Sequence, residues 1–294
     1  MDQAFLIVNP MAGRPKRGRR ADELVAKLAQ HGPQADLHVT EGRGHATELA
    51  REAVGAGARL VIVAGGDGTV AEVVAGLAGT DAALGVVPIG TGNVIQREYG
   101  LFFDWDRACE VIAGGSKRRV DVGRCGSRTF LLHMGVGHDA QVVTKVPDSL
   151  KGRIGQLAFV LAIGRTLAEG RQWEMRVQTD AGEWQGRAWS CVAANAKYFA
   201  WRLKMAPLGS MDSGRLEVSV FKSSGRLAFI GSYLRSLAGT HYRSPNVETL
   251  TARSITIETE QPAPVQMDGT VVGTSPISAE IWPRALTLIV PRAA

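Results

Sequence analysis

Leu60-Val61-Ile62-Val63-Ala64-Gly65-Gly66-Asp67-Gly68-Thr69 is a run of five apolar residues that empties into a glycine-rich turn, and Val70–Leu77 after it reads as helix. A short apolar run bounded in this way reads as a buried strand. Strand, glycine-rich turn and helix in succession form an anion-binding arrangement, because amides at a helix start point outward and small residues let the backbone approach a phosphate. The same pattern lies on both sides. Phe5–Val8 is a strand that ends in Asn9-Pro10-Met11-Ala12-Gly13, and Leu84–Ile89 is a strand that runs into Gly90-Thr91-Gly92-Asn93. Helical patterns at Ala21–His31 and Ala46–Ala56 flank a further strand, Asp36–Thr40. Such alternation predicts a parallel sheet covered by helices, with the turns at the carboxyl ends of the strands, where ligands bind. Three turns of this kind favour a phosphate-bearing ligand.

Beyond about Asp121 the texture changes. Arg128–Met134, Trp173–Thr179, Ala188–Ala194, Leu216–Phe221, Ser254–Glu258 and Leu286–Val290 read as strands separated by turn signals, which predicts an antiparallel, sandwich-like second domain. Gln156–Glu169 and Ala228–Leu237 read as helices whose apolar faces pack on sheets in preference to membranes.

With 294 residues the chain has room for two cored domains. Glycine, at 35 residues, is in excess over the usual ~7% and marks special backbone. Three cysteines without a CxxC pair exclude a disulfide framework and a structural zinc site of that type, and favour a reducing, cytoplasmic setting. No apolar run approaches the ~20 residues of a membrane span, and Met1-Asp2-Gln3 is a poor start for a signal peptide. The net charge of +6 is partly local, with five cations in Arg14–Arg20. That cluster suits phosphates or an anionic membrane surface, or it is a solvated face. No interleaved aromatics stand nearby, which argues against nucleic acid.

Gly66-Asp67-Gly68-Thr69-Val70-Ala71 fits a dinucleotide fingerprint, but the following strand ends in Pro88-Ile89-Gly90-Thr91 without the ribose-binding acid. No Gly-Lys dipeptide occurs, so there is no Walker A loop. An aspartate inside a phosphate loop makes sense beside Mg2+, as an acceptor that orders the loop, or as a cap of the following helix.

Asn9-Pro-x-Ala-Gly13, Gly65-Gly-Asp-Gly-Thr69 and Pro88-x-Gly-Thr-x-Asn93 resemble the three signatures of the diacylglycerol kinase catalytic domain family, the superfamily of diacylglycerol, sphingosine, ceramide and bacterial lipid kinases. Asp121-x-Gly123, Gly137-His-Asp-Ala-Gln-Val142, Lys151–Phe159, Asn195–Val220 and Gln266-Met-Asp-Gly269 resemble its later segments, so the likeness covers nearly the whole chain. It implies a three-layer α/β ATP-binding domain over residues 1–120, joined by a returning stretch at 280–294. A β-rich lipid-acceptor domain over 121–279 and an active-site cleft between the two are implied as well. Gly65, Gly66, Asp67, Gly68 and Thr69 would cradle ATP phosphates, with Asn9, Thr40 and Thr91 adding contacts. Asp268 would act as general base toward a lipid hydroxyl, where the bare reading of Asp268-Gly269 is a hairpin turn. Asp67 and Asp121 would anchor Mg2+ directly or through water, and Arg14, Lys16, Lys151 and Arg153 would neutralise phosphate.

The resemblance implies an ATP-dependent lipid kinase of lipid metabolism, cytoplasmic or peripheral on the inner membrane face, and it allows a homodimer. Three positions depart from the family pattern: Thr270 stands where Glu is usual, Ser213 where a metal-site Asp is usual, and Phe199-Ala200-Trp201 where the family is glycine-rich. A nicotinamide dinucleotide kinase and a non-catalytic lipid- or ATP-binding regulator of the same fold are the alternatives.

Overall fold

The computed structural model describes residues 3–13, 19–90, 92–100, 104–145, 166, 170–199, 203–222 and 225–292. The chain divides into two units, Met1–Val122 with Pro283–Ala294, and Gly123–Trp282.

In the first unit, strands β1 (Ala4–Val8), β2 (Ala35–Val39), β3 (Leu60–Gly65) and β4 (Ala83–Pro88) alternate with helices α1 (Arg19–His31), α2 (His45–Gly55) and α3 (Asp67–Leu77). Helices α4 (Val94–Glu98) and α5 (Trp105–Gly114) follow. The strands are parallel in the order β2-β1-β3-β4. β1 and β4 are buried at every residue, which is why they read as unbroken apolar runs rather than alternations. Leu24 and Leu28 of α1 join Ala108, Cys109 and Ile112 of α5 in one core with Leu6, Ile62 and Val87. The helices α2 and α3 pack on each other, so closely that a Cβ on Gly76 would lie 2.6 Å from that of Ala50.

β5 (Ser116–Cys125) carries the chain into the second unit. There, β6 (Arg128–Phe130), β7 (His133–Gly137), α6 (His138–Lys145), β8 (Trp173–Thr179), β9 (Gly182–Ala188), β10 (Ser190–Ala194), β11 (Tyr198–Phe199), β12 (Leu203–Lys204) and β13 (Leu216–Phe221) come first. Helix α7 (Arg226–Ala238), β14 (Val247–Ala252), β15 (Ser254–Thr259), β16 (Pro264–Met267), β17 (Thr270–Thr274) and β18 (Ile277–Val290) complete it. One antiparallel sheet runs β14-β13-β10-β7-β16-β17, and β8, β9, β15 and the start of β18 form the other antiparallel layer. Met134, Val136, Val218 and Val265 of the first layer share a core with Trp173, Met175, Val177, Ile255 and Ile257 of the second, which makes this unit a β-sandwich. β8 and β15 alternate buried and more open residues, as strands with one covered face should. The end of β18 returns to the first unit, where Thr287 and Leu288 pair in parallel with Ala83 and Leu84.

Two sequence expectations change. The helix after the central glycine turn begins at Asp67, so Asp67-Gly68-Thr69 is its first turn rather than a loop. Gly66 is extended and takes the cap position, and Gly68 sits where no intrahelical N–H bond is due, so its presence costs little. Helix α7 does not pack through its leucines: Phe229, Ser232 and Ser236 face inward instead. The helix expected at 156–169 lies outside the described residues, apart from Thr166.

Candidate active site

The strand order β2-β1-β3 means that the chain leaves β1 on one side and returns on the other. The carboxyl ends of β1 and β3 therefore border a topological switch point, the place where open α/β sheets bind ligands. Asn9 follows β1 and Gly65 closes β3. Asn9 Nδ2 donates to Thr69 Oγ1 at 2.8 Å, bridging the two, and Asn9 Oδ1 accepts the Met11 amide at 2.9 Å. Thr40 follows β2 along the same edge, buried, with its amide bonded to the Val8 carbonyl at 2.9 Å.

The glycines here are steric requirements. A Cβ on Gly65 would lie 2.6 Å from that of Thr69. A Cβ on Gly90 would lie 2.5 Å from the Gly66 Cα, so the turns after β3 and β4 touch backbone to backbone. Gly68 differs: nothing lies within 4 Å of its added Cβ. The first turn of α3 thus opens onto free space with its amide donors unclaimed by the helix, which suits an anion. Beside it, Asn93 adopts a left-handed conformation (φ 46°) and donates to the Gly90 carbonyl at 2.7 Å. Asn93 Oδ1 and both amide atoms of Gln96 are buried without a partner. Orphaned polar atoms at such a place call for a polar ligand or ordered water, so the residues present fit a nucleotide.

Asp67 is the acceptor that orders the loop. Its carboxylate takes the Val94 amide at 2.6 Å at the start of α4, and the amides of Asn93 and Ile95 also face it. Burial pushes its pKa up, and those amides oppose the shift. Asp67→Ala is expected to cost about 1–2 kcal/mol by uncapping α4, measured by chemical denaturation; an unchanged midpoint would contradict the capping role.

These amides give Asp67 its loop-ordering role, which a carboxylate with about four lone-pair sites can combine with anchoring Mg2+, directly or through water. Asp121 is 1% exposed and accepts the backbone amide of Arg284 at 2.8 Å, where Arg284 has φ 54°, so it holds backbone. No group of three or more His, Cys, Asp or Glu side chains is arranged for a metal among the described residues. Asp212 bonds to Ser210 and Ser213 Oγ donates to the Arg215 carbonyl, so that turn closes on itself. Thr91, Arg14, Lys16, Lys151 and Arg153 lie outside the described residues.

In the second unit, Asp268 sits at φ 47° in the turn between β16 and β17. Its carboxylate accepts the amides of Leu131 at 2.6 Å, Leu132 at 2.9 Å and His133 at 3.0 Å. A carboxylate offers about four lone-pair sites, and three here hold the backbone between β6 and β7. The structure therefore gives Asp268 an anchoring role that its Asp-Gly signature did not announce. Asn195 Nδ2 braces the same segment by donating to the Leu131 carbonyl at 2.8 Å.

Gln266 extends this network. Its Oε1 accepts the Gly269 amide at 2.8 Å, and its Nε2 donates to Asp139 Oδ2 at 2.6 Å. Gly135 makes room for Asp139, since a Cβ there would lie 1.8 Å from Oδ2. Asp139 and Gln266 had no assigned role in the sequence; the signal was an aspartate directly after an apolar strand and its glycines. Burial pushes the Asp139 carboxyl up to about 6, against the Gln266 hydrogen bond. Burial drives His133 down to about 3 and His138 and His241 to about 4, leaving all three neutral at physiological pH.

Because the folded protein holds the Asp139 proton more tightly than the unfolded chain, with its pKa near 3.8, this contribution is complete below pH 3.8 and is lost as pH rises through about 6. The buried histidines act in the opposite direction, so the Asp139→Asn variant is the informative comparison. Its stability relative to the native chain is expected to improve by about 2 kcal/mol between pH 4.5 and 7.5 in parallel denaturation curves. A parallel pair of pH profiles would refute it.

Residues 3–125 match the family model described as diacylglycerol kinase catalytic domain, and residues 133–290 match the one described as YegS C-terminal NAD kinase beta sandwich-like domain. A diacylglycerol kinase of Bacillus subtilis (strain 168) is 29% identical over 279 residues, 94% of this chain and 92% of that one. A diacylglycerol kinase of Staphylococcus aureus (strain MRSA252) is 30% identical over 278 residues, 93% of this chain and 88% of that one. Two solved structures from Bacillus anthracis str. Sterne are similar. One aligns with a TM-score of 0.84 at 27% identity, covering 98% of this chain and 95% of that chain. The other, a diacylglycerol kinase, aligns at 0.77 and 24% identity, covering 98% and 97%, and bears on the fold alone.

Proposed function

The chain belongs to the diacylglycerol kinase catalytic domain family, and from that premise we propose that it transfers the γ-phosphate of ATP to a hydroxyl of a diacylglycerol-like lipid. The observation that carries this reading is the Asn9–Thr69 bridge at the β1/β3 switch point, beside two glycine turns in backbone contact and an open first turn of α3. Gly68 and Thr69 receive the phosphates, Asn9 sets the Thr69 side chain, and Asp67 fixes the second turn. ATP supplies the transferable phosphoryl group. Phosphoryl transfer depends mostly on positioning and charge stabilisation, and these residues provide positioning. Asp268 is proposed as acceptor of the lipid hydroxyl proton. Mg2+ held at Asp67, directly or through water, would screen the charge that develops on the phosphates.

Purified protein with labelled ATP, a lipid panel and nicotinamide dinucleotide tests the reading directly. Label in a lipid hydroxyl supports it; label only in the dinucleotide, or none anywhere with no ATP binding, overturns it. A second reading, a non-catalytic binder of the same fold, is favoured by Thr270 and by the three amides on Asp268. ATP binding without turnover, unchanged in Asp268→Asn, would select it.

A further inference from the structure

Helix α7 is built inside out. Its inward face carries Phe229, Ser232 and Ser236, each at most 3% exposed. Phe229 stacks on Trp189 with ring centroids 5.1 Å apart, Ser232 Oγ bonds Ser244 Oγ at 3.0 Å, and Ser236 Oγ donates to the Tyr233 carbonyl. The leucines point the other way: Leu227 is 85% exposed, Leu234 56% and Leu237 47%. At about 100° per residue these three fall within roughly 80° of one another, so they form one stripe. Arg226 and Arg235, both exposed, lie on its two sides. Gly239, just past the helix, packs on Lys204 and Pro207, which brings exposed Leu208 to the same end. A helix that served only to cover a sheet would turn its leucines inward and its serines out.

We propose that this stripe docks on an anionic lipid bilayer, the leucines entering the boundary between headgroups and acyl chains while Arg226, Arg235 and Lys204 meet lipid phosphates. The proposal deepens the lipid-kinase reading, on which it rests, by naming the face that meets the membrane. Charge decides between occupants. The helix has no Asp or Glu, so a second copy seated on the same stripe would set arginines against arginines. An anionic surface pairs them, and apolar residues flanked by cations are the pattern of interfacial helices.

The test uses the full chain without nucleotide or diacylglycerol, so its result does not depend on phosphotransfer. Co-sedimentation is measured with vesicles of phosphatidylcholine alone and mixed with phosphatidylglycerol. Binding is expected to the mixed vesicles, weakened at least about tenfold by Leu234→Gln or Leu227→Gln. Arg235→Gln is expected to lose about fivefold, at low salt only. Because these side chains are exposed, melting temperatures should hold; should a leucine variant unfold, the salt-dependent loss in Arg235→Gln still decides. No binding by the native chain, or binding indifferent to all three substitutions, overturns the proposal. Concentration-dependent dimerisation abolished by the leucine variants, with vesicle binding intact, overturns it in favour of self-association.

Discussion

Asp268→Asn is expected to lower the melting temperature by about 10 °C, alongside a phosphotransfer loss of more than about a hundredfold. The carboxylate receives three backbone amides from Leu131, Leu132 and His133. Asparagine keeps one acceptor oxygen and presents an NH2 group to donors, so at least one buried amide loses its partner. Bonds to a charged acceptor are worth roughly 1.5–3 kcal/mol each, and the loss should reach about 4 kcal/mol. Thermal denaturation and the labelled-ATP assay on one preparation separate the two roles of Asp268. Lost turnover at an unchanged melting temperature would make the carboxylate a base and not an anchor. A falling melting temperature without any change in turnover per folded molecule would make it an anchor alone.

Gly90→Ala should weaken ATP binding at least about a hundredfold and cost roughly 1–3 kcal/mol of stability. The new methyl would lie 2.5 Å from the Gly66 Cα and 3.0 Å from Asn93 Oδ1. Neither neighbour is the free end of a flexible side chain: one is backbone, and the other belongs to a residue tied to Gly90 itself. Relief therefore requires the two glycine turns to separate. Gly68→Ala is the control for stability alone, since its methyl meets no protein atom within 4 Å but stands where phosphate is proposed to bind. Alanine is also the better helix former, by about 1 kcal/mol in a helix interior. Calorimetric ATP titration of Gly90→Ala and melting curves of both variants check the contrast; equal melting temperatures would refute it.

What the sequence made legible follows from how local each cause is. β1, β3 and β4 declared themselves because strands covered on both faces are continuous apolar runs. The glycine turns were visible as composition, although only Gly65, against Thr69, answers to a neighbour a few residues away; Gly90 answers to Gly66 in the other turn. α5 carried a local signal that went unread: the Asp104 side chain accepts the Asp106 amide at its start. α4 carried none, because its capping carboxylate comes from Asp67, 27 residues away. The same holds for Asp268. An Asp-Gly pair announces a turn, but its amide partners lie more than 130 residues upstream. The orientation of α7 was equally hidden, since periodicity describes a stripe of leucines without saying whether a sheet lies beneath it. Asp121 read as a metal anchor through the family resemblance; the structure has it accept the amide of Arg284, 163 residues further on.

β18 sets a schedule for synthesis. In the first unit, the free side of β4 is closed by Thr287 and Leu288, which leave the ribosome after the whole second unit. Until then the sheet of the first unit ends in an apolar strand with unpaired amides and carbonyls, the kind of edge that recruits other chains. The sandwich can close first, using only Gly123–Trp282. The first unit is therefore the last to be finished, although its strands are the first to be made. Shortening the chain at its carboxyl end would strike the first unit before the second.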